Sequence, residues 1–271
     1  MAASLRGAPG IAFGDVIGAN VAICLVALGV GAVVSTTPLP FDRHVRRYAL
    51  AGLPAGALAA ALAWDGTVTR AEGLALVTAY VVFVAVIWLR ERRPPTLGET
   101  GEVEEHAARA AAERAGTDGP AGHRVGWELV LVLGGLVLMA GGASALVEGI
   151  RRITDAEDVQ TDLGLVVVGF ATAFELVVLA WSAARRGVAA AVVAGVVGSF
   201  TYNVTMTLGA GALAAPLRLV DGAALHGPWL VMLASLALVI ALGWPRGRLT
   251  RTAGVVCLAG YPVAVVLLLV G

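Results

Sequence analysis

Seven stretches of this chain contain no Asp, Glu or Arg: residues 16–41, 48–64, 74–89, 129–147, 187–217, 222–245 and 252–271. An eighth, 163–184, holds a single acid, Glu175, and the chain has no lysine. A helix needs about 20 apolar residues to cross a bilayer, range about 17–25. The runs at 48–64 and 74–89 are short, but Arg47 and Arg90 flank them and their long side chains reach toward an interface. These runs predict an all-α integral membrane protein with about eight transmembrane helices. They are too long and unbroken for the alternating, roughly 10-residue strands of a membrane barrel. Charged residues make up 14% of the chain and the mean hydropathy is +0.85, against about 25% charged in soluble domains. Nineteen basic residues balance nineteen acidic ones, so nothing points to a nucleic-acid partner, and the expected partner is membrane lipid.

With eight spans the connections alternate between two sides. One side collects fourteen arginines, six of them in the long loop after Leu89, and the other collects five. The positive-inside rule places the fourteen, and hence the long loop, in the cytoplasm of a multi-pass protein of the cell's inner (plasma) membrane. Within that loop Glu105 and Arg109, four residues apart, suit a short solvated helix. Cys24 and Cys257 lie in apolar runs and read as packing residues, with no disulfide or metal spacing.

A shift of 180 residues lays the chain on itself. Between residues 6 and 32 there are eight gapless identities: Arg6, Gly7, Val16, Gly18, Leu28, Gly29, Gly31 and Ala32. The two copies fall on the first and sixth spans, five apart, so they cross in opposite directions. Inverted repeats of this kind are typical of secondary transporters, which bind their substrates near the midplane between the copies.

Glu175 lies inside an apolar run, where a charge costs about 2.5–3.5 kcal/mol, so a functional role is the default reading. Asp15, in the first copy, is a second candidate; its structural alternative is a cap on a helix starting at Val16. Neutral oxygens surround them in sequence, among them Thr172, Ser199, Thr201, Asn203, Thr205, Thr207 and Asn20. Carboxylates with hydroxyl and amide oxygens suit hard cations rather than soft metals. Gly14, Gly18, Gly195 and Gly198 would break a helix or allow close helix packing. His44, His106, His123 and His226 form no cluster in sequence, and no nucleophile–base pairing or phosphate-cradling loop suggests an enzyme or a bound cofactor.

The residues Gly14-Asp15-Val16-Ile17-Gly18-Ala19-Asn20 resemble the second helix of the "alpha repeat" of the sodium/calcium exchanger membrane region family, in the calcium/cation antiporter superfamily. Ala171-Thr172-Ala173-Phe174-Glu175-Leu176 resembles the acidic helix of the second repeat, and Val196-Val197-Gly198-Ser199 its partner. The resemblance implies an inverted-repeat exchanger fold on a five-plus-five plan whose first two spans are absent here. It divides the chain into a first half at 1–93, a cytoplasmic linker at 94–126 and a second half at 127–271. By the same resemblance Glu175 and Asp15 are metal ligands at a shared midplane cation site, with Thr172, Ser199, Asn203 and Asn20 as weaker ligands. The implied function is antiport of Ca²⁺ or a related cation against Na⁺ or H⁺. The alternative is a non-transporting or half-exchanger module completed by a second copy or a partner chain. This sequence departs from the family pattern in three places: no Pro precedes Glu175, Gly195 stands where a ligand is expected, and Phe200 replaces an Asn.

Overall fold

The computed structural model describes residues 2–91, 125–187 and 189–270. The linker pair Glu105 and Arg109 lies outside the described residues. A short helix α1, Ala2–Leu5, leads into α2, which spans Pro9–Val34. Pro9 opens α2, where a missing N–H costs no hydrogen bond. Within α2 a π turn, Ile23–Ala27, separates the α-helical segments Pro9–Ala22 and Leu28–Val34. Then follow α3 (Arg43–Leu62), α4 (Arg70–Glu91), α5 (Val125–Ile153) and α6 (Glu157–Arg186). α6 carries its own π turn at Gly164–Val168. α7 joins Ala189–Tyr202, the π turn Asn203–Thr207 and Leu208–Ala214. α8 (His226–Gly243), preceded by the 3-10 turn Gly222–Leu225, and α9 (Arg251–Val270) complete the chain.

Each of the eight apolar runs falls on one of α2 to α9. Among the described residues five helical segments are long and apolar enough to cross a membrane by length and composition: Pro9–Val34, Arg70–Leu89, Glu157–Arg186, Gly222–Gly243 and Arg251–Val270. The protein is therefore an all-helical, multi-pass membrane protein.

The repeat seen in the sequence is a repeat of structure. The three segments of α2 reappear in α7 with every boundary displaced by 180 residues, π turn included. Gly7 (φ +64°) ends the short α1 as Gly187 (φ +77°) ends α6, each in the left-handed conformation that glycine adopts without a Cβ penalty. Four two-residue strands tie the halves together. β1 (Leu39–Pro40) pairs antiparallel with β4 (Arg248–Leu249), and β2 (Thr67–Val68) with β3 (Leu217–Arg218). Beside them the Arg46 guanidinium sits 5.2 Å from the Trp244 ring centre, while His226 stacks on Trp64 at 3.9 Å and donates from Nε2 to the Trp64 carbonyl at 2.9 Å. Arg46 and His226, like Trp64 and Trp244, are 180 residues apart.

The same symmetry governs helix packing. A Cβ built on Gly29 of α2 would lie 2.8 Å from a Leu258 side-chain carbon, and one on Gly254 of α9 2.8 Å from the Gly29 carbonyl. In the other half a Cβ on Gly73 of α4 would lie 2.8 Å from the Gly209 carbonyl, and one on Gly209 2.7 Å from that of Gly73. Each half thus clamps the end of its repeat helix against the last helix of the other half, backbone on backbone. In a bilayer, where no hydrophobic force drives helices together, such close approach supplies the packing energy. α2 lies at the centre: every residue of Pro9–Ala22 is buried except Pro9 and Asp15. The outer helices turn Trp88, Val137, Leu230 and Val266 outward, as a surface facing acyl chains does.

Candidate cation site

Asp15 lies six residues into α2, so it does not cap a helix starting at Val16; that alternative is overturned by the helix starting at Pro9. What places it is the crossing of α2 with α6. A Cβ built on Gly14 would stand 2.6 Å from the Gly164 carbonyl carbon, and one on Gly169 would stand 2.5 Å from the Ala19 nitrogen. Gly18 is pressed against the Leu165 backbone. Glycines on both partners let the two backbones touch, and contact at Gly18 and Gly169 carries Asp15 and Thr172 into register. The Thr172 hydroxyl donates to Asp15 Oδ1 at 2.7 Å, across 157 residues of sequence. Glu175 stands on α6 one turn beyond Thr172.

Asp15, Thr172 and Glu175 line one cavity of about 470 Å³. Its remaining walls come from Ser4 of α1, Gly142 and Ala143 of α5, and Thr207 and Leu208 of α7, among others. At about 30 Å³ per water the cavity has room for roughly fifteen. Two acids and several hydroxyls stand in an otherwise apolar, small-residue wall, and oxygen donors of this kind suit hard cations. No cluster of three or more His, Cys, Asp or Glu occurs among the described residues.

The other sequence candidates lie elsewhere. Ser199, Gly195 and Gly198 are buried on α7 and are not among the described residues that line the cavity. Asn20 is fully buried, and its Oδ1 meets Asn203 Nδ2 at 3.5 Å; neither is among the described residues that line the cavity. Sequence reasoning passed over Ser4, which lies in a four-residue helix ahead of the first apolar run and gives no periodic signal. It also passed over Gly164 and Gly169, which meet the backbone of α2 beside Gly14 and Gly18 but stand five residues apart where that pair stands four.

Residues 1–89 and 127–270 match the protein family described as sodium/calcium exchanger protein. The chain belongs to that family. An uncharacterized membrane protein of Methanocaldococcus jannaschii is 25% identical over 270 residues, covering 99% of this chain and 80% of that protein. Among solved structures, the sodium-calcium exchanger NCX_Mj soaked with Na⁺ and Sr²⁺ aligns with 97% of this chain and 78% of its own, at a TM-score of 0.63 and 21% identity. The same exchanger soaked without Na⁺ and Ca²⁺ aligns with a TM-score of 0.63, also at 21% identity. At these identities the likeness is one of fold, and the fold is an all-helical exchanger. As a member of the sodium/calcium exchanger family the protein falls among cation-exchanging membrane transporters, so two carboxylates on touching helices are where its chemistry is to be sought.

Proposed function

We propose that the chain is a secondary-active antiporter that exchanges Ca²⁺ or a related cation for Na⁺ or H⁺ across the plasma membrane. One observation carries the reading: Asp15 and Glu175, from two helices held in backbone contact, line a single cavity, with Thr172 donating to Asp15. Cation and counter-ion compete for the same carboxylates. Alternating exposure of the site to the two sides then couples one movement to the other. In this reading residues 1–93 and 127–271 are the two halves, and the linker at 94–126 lies in the cytoplasm. Support for the orientation comes from the arginine bias.

The test is calcium-45 uptake into inverted vesicles under imposed sodium and proton gradients. Gradient-driven uptake that Glu175→Gln abolishes, with expression intact, is the expected result. Uptake unchanged by Glu175→Gln removes that residue from the site, and no uptake under either gradient refutes calcium antiport by this chain. A cysteine placed in the linker is expected to resist an impermeant thiol reagent in intact cells; labelling would invert the topology.

A second reading is a half-exchanger module completed by another copy or a partner chain. It draws on the three spans before the linker against five after it. Co-purification of two differently tagged copies, with transport only from the mixed assembly, would favour it.

A further inference from the structure

The two ring contacts beside the paired strands are equivalent by the repeat but not by chemistry. Arg46 lies in the first turn of α3, and its guanidinium covers Trp244, just past the end of α8. His226 begins α8, and its ring covers Trp64, just past the end of α3. The two helices therefore lie antiparallel and are clasped at both ends. Trp64 is 45% exposed and Trp244 46%, and Arg46 and His226 are both half-buried. The seats match, and only the occupant differs. Arg46 shares its end of the molecule with Arg43, Arg47 and Arg248, whose repeat positions are Ala223, Gly227 and Val68. Of these four positions only that of Arg46 keeps a base, and there it is a histidine.

A carbonyl only accepts, so the 2.9 Å contact with the Trp64 oxygen puts the ring hydrogen on Nε2 and leaves Nδ1 to take up a proton. The imidazole and indole are stacked, 3.9 Å between centres and 11° between planes. Protonated, the imidazole becomes a planar cation on an indole face, as the Arg46 guanidinium is in the other half. Its bond to the carbonyl becomes charge-assisted. That carbonyl lies at the C-terminal end of α3, where the helix dipole favours a cation, while the N-terminus of α8 opposes one. Arg46 meets the same opposition in the first turn of α3, and the fold holds its charge there.

The other charged groups on the elements packed here are Asp65, Arg70 and Glu72 flanking β2, Arg218 in β3, Asp221 before the 3-10 turn, and Glu157 of α6. All four carboxylates already accept from backbone N–H groups: Asp65 from Thr67, Glu72 from Thr69, Asp221 from Ala223 and Glu157 from Val220. Carboxyl and guanidinium groups in general change charge outside the range of about pH 5–8, and imidazole changes charge within it.

We propose that His226 and Trp64 form a proton-operated clasp, loose when the imidazole is neutral and tight when it is charged, at the end of the α3–α8 pair opposite the permanent Arg46–Trp244 clasp. α3 packs on α7, where Gly52 and Gly56 approach the Phe200 ring, and α8 packs on α2, where Met232 approaches Asn20. The clasp thus sets how firmly these two helices enclose the repeat helices at that end, which is the outer one in the orientation proposed above. The charged ring makes these contacts only in the folded chain. Its contribution is present in acid and lost as pH rises through the imidazole range. The clasp stands on the repeat geometry and not on the antiport reading.

The experiment measures the thermal midpoint of the purified full chain in detergent from pH 8 to pH 5.5 at constant ionic strength, for wild type and His226→Gln side by side. Their difference cancels what other groups contribute. It is expected to grow in favour of wild type by about 2–4 °C as pH falls through about 6.5. His226→Arg should lead His226→Gln at both ends of the range. In a Trp64→Leu background the growth should vanish. Trp64 emission, taken as wild type minus Trp64→Phe, should dim in acid, because a stacked imidazolium quenches indole fluorescence. The proposal is overturned by a difference that stays flat or grows toward alkaline pH, by growth that survives Trp64→Leu, by His226→Arg no more stable than His226→Gln, or by Trp64 emission indifferent to pH. Should Trp64→Leu fail to fold, the emission decides in its place. Because none of these readings needs ion movement, failure of calcium antiport would appear in the vesicle assay and not here.

Discussion

Two kinds of helix crossing in this molecule are built alike and used differently. Where α2 meets α9, and where α4 meets α7, glycine faces glycine: a Cβ added to Gly254 would stand 2.8 Å from the Gly29 carbonyl, and one added to Gly209 2.7 Å from that of Gly73. Where α2 meets α6, glycine again lies against backbone, but the surroundings are polar: Asp15, Thr172 and Glu175 open into one cavity. The repeat position of Asp15 in α7 is Gly195, and that of Asn20 is Phe200. Backbone architecture is thus kept in duplicate, while the acid of the repeat helix is kept in one copy. Packing tolerates little change at either place, and chemistry is concentrated at one.

That contrast can be broken in a graded way. Gly18→Val drives a branched side chain into the Leu165 backbone and should leave no folded, monodisperse protein by fluorescence-detected size exclusion; a wild-type profile would mean the crossing has slack. Asp15→Asn keeps the shape and the Thr172 contact but removes a charge, so it should cut calcium affinity about tenfold or more and sodium less. Equal effects on both ions in flux titrations would argue against direct coordination. Gly29→Val and Gly209→Val should each cost on the order of 1–3 kcal/mol, and by similar amounts, because they overpack equivalent crossings. Unequal losses of thermal midpoint would show that the halves share the load unevenly. The smallest effect belongs to the turn after α3. There the Thr67 backbone N–H and hydroxyl both donate to Asp65 Oδ1, at 2.9 and 2.8 Å, and hold its carboxyl below the usual carboxylate range. A lowered folded value means the contribution is present above the unfolded pKa, about 3.9, and fades as pH falls through the folded one. Asp65→Asn should therefore lower the thermal midpoint slightly at pH 7 and not at all at pH 2–3.

Much of the fold was legible because membrane helices announce themselves by long absences of charge, and because the offset of 180 survives in Arg6, Gly7, Gly18 and Gly29. The start of α2 was not. An acid at position 15 reads as a boundary in a one-dimensional pattern, yet a helix passes through it when the side chain opens into a cavity. Asp15, Thr172 and Glu175 could be proposed from residue type and resemblance. Their juxtaposition could not, since the register between α2 and α6 is set by Gly14 and Gly18 meeting Gly164 and Gly169, a match between distant segments with no period to betray it. Asn203 was legible as a polar residue in an apolar run, but its contact with Asn20 needed the crossing of α2 and α7.

The two-residue strands bear on how the chain comes to be assembled. β1 at Leu39–Pro40 has its partner at Arg248–Leu249, and Gly29 has its partner at Gly254. At about 5–20 residues per second, the ribosome takes roughly 10–40 seconds to travel from the first member of such a pair to the second. For that interval α2, with its nearly all-round apolar surface and its one acid, waits in the bilayer without its far clamp. The last 25 or so residues close both the strand pair and the glycine contact, so the first span of this protein is finished by the last.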